Sequence, residues 1–163
     1  MNYASVRTCD IANGEGVRVS LFVSGCTHRC QGCFNPDQWD FGYGEPFTRE
    51  VEDMILAALS PSHIAGLTLL GGEPMEPENQ RALLPFLRRF REKFGQTKTL
   101  WVYTGCVLEE LRGERGESRW RTEATDELLA MIDVLVDGPF VEREKDISLA
   151  FRGSANQRIL RLR

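Results

Sequence analysis

Val17-Arg18-Val19-Ser20-Leu21-Phe22-Val23-Ser24 runs straight into Gly25-Cys26-Thr27-His28-Arg29-Cys30-Gln31-Gly32-Cys33-Phe34-Asn35. The first half alternates, with Val17, Val19, Leu21 and Val23 apolar, and reads as a strand. The second half places three of the chain's five cysteines within eight residues. Thiolates so close together point to one metal centre, here at the end of a strand.

The same pattern of strand followed by glycine recurs downstream. Residues 67–70 are apolar apart from Thr68 and end at Gly71-Gly72-Glu73-Pro74. Such a run suits a strand buried on both faces of a parallel sheet. Residues 99–103 lead to Thr104-Gly105, and residues 134–136 to Asp137-Gly138. Helical patterns lie between them. Thr48 reads as an N-cap for a helix over 49–59. Residues 77–94 carry Leu83, Leu84, Leu87, Phe90 and Phe94 on one face, and Pro85 predicts a kink or a break into two pieces. Short helices are expected over 107–111 and 125–132, an exposed loop over 112–121, turns over 10–18 and 36–47, and a strand pair over 147–162.

Four alternations of strand and helix predict an α/β domain with a mainly parallel sheet. At 163 residues the chain falls short of a complete eight-fold barrel, which takes roughly 250. An open, partial (βα) barrel or a twisted open sheet is the expected form, in one domain spanning 1–163. Either form gathers ligands at the carboxyl ends of its strands. The cysteine loop, Gly71-Gly72-Glu73-Pro74, Thr104-Gly105 and Asp137-Gly138 all fall there.

Composition narrows the function. A net charge of -4 argues against a nucleic-acid partner. No window approaches the roughly 18 apolar residues of a membrane span, and the N-terminus lacks the apolar core of a signal peptide. The expected location is the cytoplasm, where clustered cysteines favour metal or redox chemistry over disulfides.

Two metal readings of the loop stand side by side. Cys26, Cys30 and Cys33 supply three thiolates to a four-iron cubane, leaving one iron open to a small ligand. Alternatively, His28 completes a Cys3His set for structural zinc, although such sites usually pair two separated knuckles. Cys9 and Cys106, outside the loop, read as ordinary packed thiols. Gly71 and Gly72 let a ligand lie against the backbone, and Glu73 is an acceptor suited to an ammonium group. A simple turn is the competing reading of that segment.

Cys-x3-Cys-x2-Cys resembles the signature of the radical S-adenosylmethionine (SAM) superfamily. The run Asn13-Gly14-Glu15-Gly16-Val17-Arg18, followed by Phe22, Gly25-Cys26, Cys30, Cys33 and Asn35, is similar to its radical-activating enzymes. Pro46-Phe47-Thr48, Leu135-Val136-Asp137-Gly138 and Arg152-Gly153-Ser154-Ala155-Asn156-Gln157 extend the likeness over nearly the whole chain. They narrow it to the branch that activates anaerobic ribonucleoside-triphosphate reductase. Two residues depart from the pattern: Glu15 stands where these enzymes often have proline, and Gly32 where many carry an aromatic.

The resemblance implies an oxidoreductase with a [4Fe-4S] cluster on Cys26, Cys30 and Cys33. It implies reductive cleavage of SAM to methionine and a 5′-deoxyadenosyl radical, which generates a glycyl radical on the large reductase subunit. A reducing electron donor protein is the second implied partner. It places SAM against Gly32, Cys33, Phe34, Gly71, Gly72, Glu73, Thr104 and Asp137, the last two as pocket wall or cation site. No catalytic side chain beyond the cluster ligands is implied. Activation of another glycyl-radical enzyme is the alternative within the superfamily. A non-catalytic zinc-binding interaction module is the alternative outside it.

Overall fold

A computed structural model describes all residues, Met1–Arg163. Seven strands form one sheet: β1 (Asn2–Asp10), β2 (Val17–Val23), β3 (Glu45–Pro46), β4 (Ile64–Gly71), β5 (Thr99–Tyr103), β6 (Val134–Asp137) and β7 (Arg158–Arg161). Their spatial order is β3-β1-β2-β4-β5-β6-β7. The central strands β2, β4, β5 and β6 run parallel, and β1, β3 and β7 add on antiparallel. The two edge strands do not pair with each other, so the sheet stays open. Four helices complete the fold: α1 (Arg49–Ala58), α2 (Pro77–Phe94), α3 (Leu108–Leu111) and α4 (Thr125–Met131).

Strand alternation sorts the side chains onto two faces. Val19, Leu21 and Val23 of β2, Leu67 and Leu69 of β4, Leu100 and Val102 of β5, and Leu135 of β6 form one core. They pack with Ile55 and Leu59 around α1, Leu83, Phe86, Leu87 and Phe90 of α2, and Leu128 and Met131 of α4. The opposite face carries a smaller cluster of Trp101, Val134 and Val136, joined by Tyr103 and Phe151. Phe151, from the stretch before β7, meets the Trp101 ring edge-on at 5.4 Å.

The second face also holds a buried cation. Arg18 is fully buried. Its Nε donates to Thr68 Oγ1 at 2.7 Å, and its Nη atoms donate to Leu67 O, Thr99 O, Thr99 Oγ1 and Glu15 O. No carboxylate pairs with it. Burial pulls its pKa down to about 10, and the carbonyl oxygens, with the Trp101 face 5.5 Å away, meet its charge.

The structure departs from the sequence reading in four places. β1 went unread because its nine residues are mostly polar or half-exposed; main-chain pairing with β2, broken by two register shifts, makes it a strand. Helix α2 runs unbroken through Pro85. Pro85 lies on the exposed face, as does Arg81, whose carbonyl loses its partner there, so water can take the freed bond. Residues 112–121 are not wholly exposed, since Trp120 is buried. The tail is one strand, β7, preceded by turns, with only an isolated bridge between Lys145 and Ser154.

Candidate metal centre

Backbone hydrogen bonds knit the ends of β2 and β4 together. Gly72 N donates to Val23 O at 2.8 Å, Glu73 N to Gly25 O at 2.8 Å, and Gly25 N to Gln38 O at 2.9 Å. A Cβ on Gly72 would stand 2.7 Å from Gly25 O and 2.8 Å from Gln38 O, so glycine is required for this approach. Gly71 takes a left-handed φ of 108°.

Above this floor opens a cavity of about 660 Å³, within the usual range for small-molecule sites. Cys26, Cys30 and Cys33 all line it. Gly71, Gly72, Glu73, Thr104 and Phe34 line it as well. Gly32 and Asp137 do not. Gly32 packs against the Glu142 side chain, which a Cβ would meet at 2.7 Å. Asp137 is fully buried beneath the wall. Its carboxylate accepts from Arg158 on both oxygens and from Leu108 N at 2.8 Å, and it does not line the cavity.

The thiol arrangement tests the two metal readings. One ion needs its ligand atoms gathered tightly, with Zn–S near 2.3 Å. The one set of three that converges within 4.8 Å is His28, Glu73 and Cys106, and the loop thiols are not in it. His28 is also occupied elsewhere: its Nε2 meets Glu73 Oε2 at 2.7 Å, and its ring stacks on Trp120 at 4.4 Å. A Cys3His zinc site therefore does not fit. Three thiols spread around one cavity, outside any tight single-ion set, would suit a multi-iron group better than one ion.

Burial opposes the thiolate form at two of the loop cysteines, and main-chain amides act for it. Burial pushes the Cys26 thiol up to about 12, with the Glu73 charge adding to it, and burial likewise raises Cys30. Main-chain N–H groups of His28 and Arg29 oppose the rise at Cys26, and that of Phe140 at Cys30. Asn35 N donates to Cys33 Sγ at 3.4 Å. Oriented amides of this kind stabilise cluster-bound sulfur. Without metal the Cys26 and Cys30 thiols stay protonated, so loading a cluster there releases protons.

Glu73 is almost wholly buried. Its Oε1 accepts from Met75 N and its Oε2 from Gly105 N, both at 2.8 Å, in addition to His28. Of the four lone-pair directions of a carboxylate, three are taken. Thr104 Oγ1 accepts from Cys106 N at 3.0 Å, so the threonine braces the turn it begins.

Sequence reasoning left the segment Arg152–Gln157 without a role. The structure makes it the far wall of the cavity, with Phe151, Arg152, Gly153 and Gln157 lining it. Gln157 accepts from Gly153 N at 2.9 Å and donates to Gly138 O at 3.0 Å, which closes the segment into a fixed turn. A Cβ on Gly153 would meet the Phe140 and Phe34 rings at 3.1 and 3.2 Å. Arg7, Asn13, Tyr103 and Lys145 also line the cavity. Asn13 opens the Asn13–Arg18 run; no local pattern marks Arg7, Tyr103 or Lys145, which three other segments bring to the cavity.

Comparison with known proteins matches this architecture to a family. The model of the 4Fe-4S single cluster domain matches residues 12–160. The anaerobic ribonucleoside-triphosphate reductase-activating protein of Pasteurella multocida is 45% identical over 163 residues, covering 99% of this chain and 98% of its own. That of Escherichia coli K12 is 41% identical and fully covered in both chains. That of Enterobacteria phage T4 is 35% identical, covering 98% of this chain and 93% of its own. The likeness read from the cysteine loop and the tail thus extends along the whole polypeptide, and the chain belongs to the family of anaerobic ribonucleoside-triphosphate reductase-activating proteins, built on a 4Fe-4S single cluster domain.

Proposed function

We propose that this chain is an iron–sulfur activating enzyme that generates a glycyl radical on the large subunit of anaerobic ribonucleoside-triphosphate reductase, using SAM. One observation carries the reading: a single cavity joins three separated thiols to a glycine-lined backbone floor with a buried carboxylate in its wall. When bound, the cluster supplies the electron that cleaves SAM to methionine and a 5′-deoxyadenosyl radical.

The chain's own residues bind, orient and exclude water. Cys26, Cys30 and Cys33 hold the cluster. The remaining lone pair of Glu73 accepts from the SAM ammonium, and Gly71 and Gly72 let the ligand approach the main chain. Phe34, 61% exposed, offers an aromatic face beside Cys33 for the adenine. Thr104 lines the same space. Gly32 and Asp137 contribute indirectly, Gly32 by admitting Glu142 behind the loop and Asp137 by anchoring α3 and β7. The open sheet is a partial barrel of radical SAM type in one domain, 1–163. Its unclosed side admits a segment of a large protein substrate. A reducing electron donor protein and a cytoplasmic location complete the reading.

Anaerobic reconstitution with iron and sulfide, then reduction with SAM, should yield 5′-deoxyadenosine and methionine. Adding the reductase large subunit should produce a glycyl radical in electron paramagnetic resonance. Intact SAM, or a colourless zinc protein, would sink the proposal.

A further inference from the structure

Thr27 and His28 span the gap between the first two cluster cysteines, and two carboxylates from the turn after β4 grip both residues. Glu76 Oε1 accepts from Thr27 N at 2.7 Å and from Thr27 Oγ1 at 2.6 Å. Glu73 Oε2 accepts from His28 Nε2 at 2.7 Å. Both carboxylates are only 1% exposed. An ionised carboxylate only accepts, so the Nε2 proton resides on the imidazole.

The His28 ring has little freedom. Trp120 stacks on one face, 4.4 Å away and 17° from parallel. A Cβ added at Gly105 would stand 2.7 Å from the ring. Arg119 lies over Trp120 and donates to Glu76 Oε2 at 3.1 Å, closing the group from outside. A histidine needed only to fill a loop would not be stacked, bonded and sterically fenced at once.

We infer that His28 is a positioning residue that locks the cysteine loop to Glu73, so that the cluster ligands and the SAM-binding carboxylate move as one body. This rests on the reading of Glu73 as a SAM contact. His28 and Gly105 N saturate Oε2, so only Oε1 has a lone pair left for the ligand. Without the imidazole N–H, Oε2 turns acceptor toward the cavity and the carboxylate loses its fixed orientation.

The test uses the full chain, reconstituted anaerobically, with iron and sulfide content and SAM affinity measured separately. His28→Leu should keep its iron and sulfide and weaken SAM binding about tenfold, as expected for one lost charge-assisted bond. His28→Gln, whose amide can donate to the same oxygen, should recover most of that affinity. Gly105→Ala, which pushes the ring without altering it, should weaken SAM as His28→Leu does. Wild-type SAM affinity in His28→Leu, or an equal loss in the Leu and Gln variants, would overturn the proposal. So would a loss that tracks iron content. Glu73→Gln separates the two readings. Undiminished affinity there would sink the SAM contact itself. Affinity lost there but kept in His28→Leu would sink the role of His28 alone.

Discussion

The Arg158 guanidinium lies along the Asp137 carboxylate, with Nε 2.8 Å from Oδ1 and Nη2 reaching Oδ2. Its outer edge meets Glu109 at 2.8 and 2.9 Å and holds that carboxyl down at about 2. One side chain from the edge strand thus ties the end of β6 to α3. Arg158→Leu strands a buried carboxylate with only Leu108 N as a partner. The expected cost is about 2–3 kcal/mol, read by urea unfolding, with Arg158→Lys recovering part of it. A loss below about 0.5 kcal/mol would mean that the pair does not hold the edge.

Asp10 gives a pH dependence. It is buried at the end of β1, with Ala12 N at 2.8 Å and Asn13 Nδ2 at 2.7 Å. Burial works to raise its pKa, but bonds from Asn13 and Ala12, the nearby Ser20 hydroxyl and the charge of Arg7 outweigh it and hold the carboxyl below 3.8. The folded value is the lower one. Its stabilisation is therefore complete above 3.8 and lost as pH falls through the folded value. Asp10→Asn should flatten the stability curve between about pH 5 and about pH 2. An unchanged acid limb would contradict this.

Gly72→Ala tests the cavity floor. The new Cβ would meet two carbonyl oxygens of the backbone, neither the end of a flexible side chain. Overpacking of this kind costs about 1–3 kcal/mol. Iron incorporation should fall as well, because the strain is applied directly at Gly25, beside Cys26. Wild-type stability and iron content together would show that the floor can yield.

The cysteines should divide cleanly. Cys26→Ala, Cys30→Ala and Cys33→Ala are each expected to lose most iron and sulfide, measured after reconstitution. Cys9 is exposed on β1, and Cys9→Ala should load normally. Cys106 is buried among the helix-facing core residues and outside the cavity wall. Cys106→Ala should keep its iron at a cost of about 1 kcal/mol in stability. Iron lost on removing Cys106 would make it a ligand.

Local sequence identified the elements that carry their own signal. A period-two apolar run marked β2, short apolar runs marked β4, β5 and β6, and helical spacing marked α1, α2 and α4; β4 begins three residues before its run, at Ile64. β1 was hidden because its partner strand, not its own side chains, makes it a strand. The unbroken α2 was hidden for a related reason. Pro85 breaks a helix only where the freed carbonyl has nowhere to turn, and Pro85 faces water.

The site divides in the same way. Three cysteines at Cys-x3-Cys-x2-Cys spacing, and glycines where two backbones touch, are properties of short segments. The sequence alone therefore determined the family, the strand-end location and the candidate thiolate set. Tertiary structure alone decided what His28 and Asp137 do. His28 reads as no more than a candidate zinc ligand in the loop until Glu73, Trp120 and Gly105 surround it from three distant segments. Asp137 reads as pocket wall until Arg158, 21 residues away, takes both its oxygens. Hydrogen-bond partners across such separations are set by how the strands order in the sheet, and no local pattern records that order.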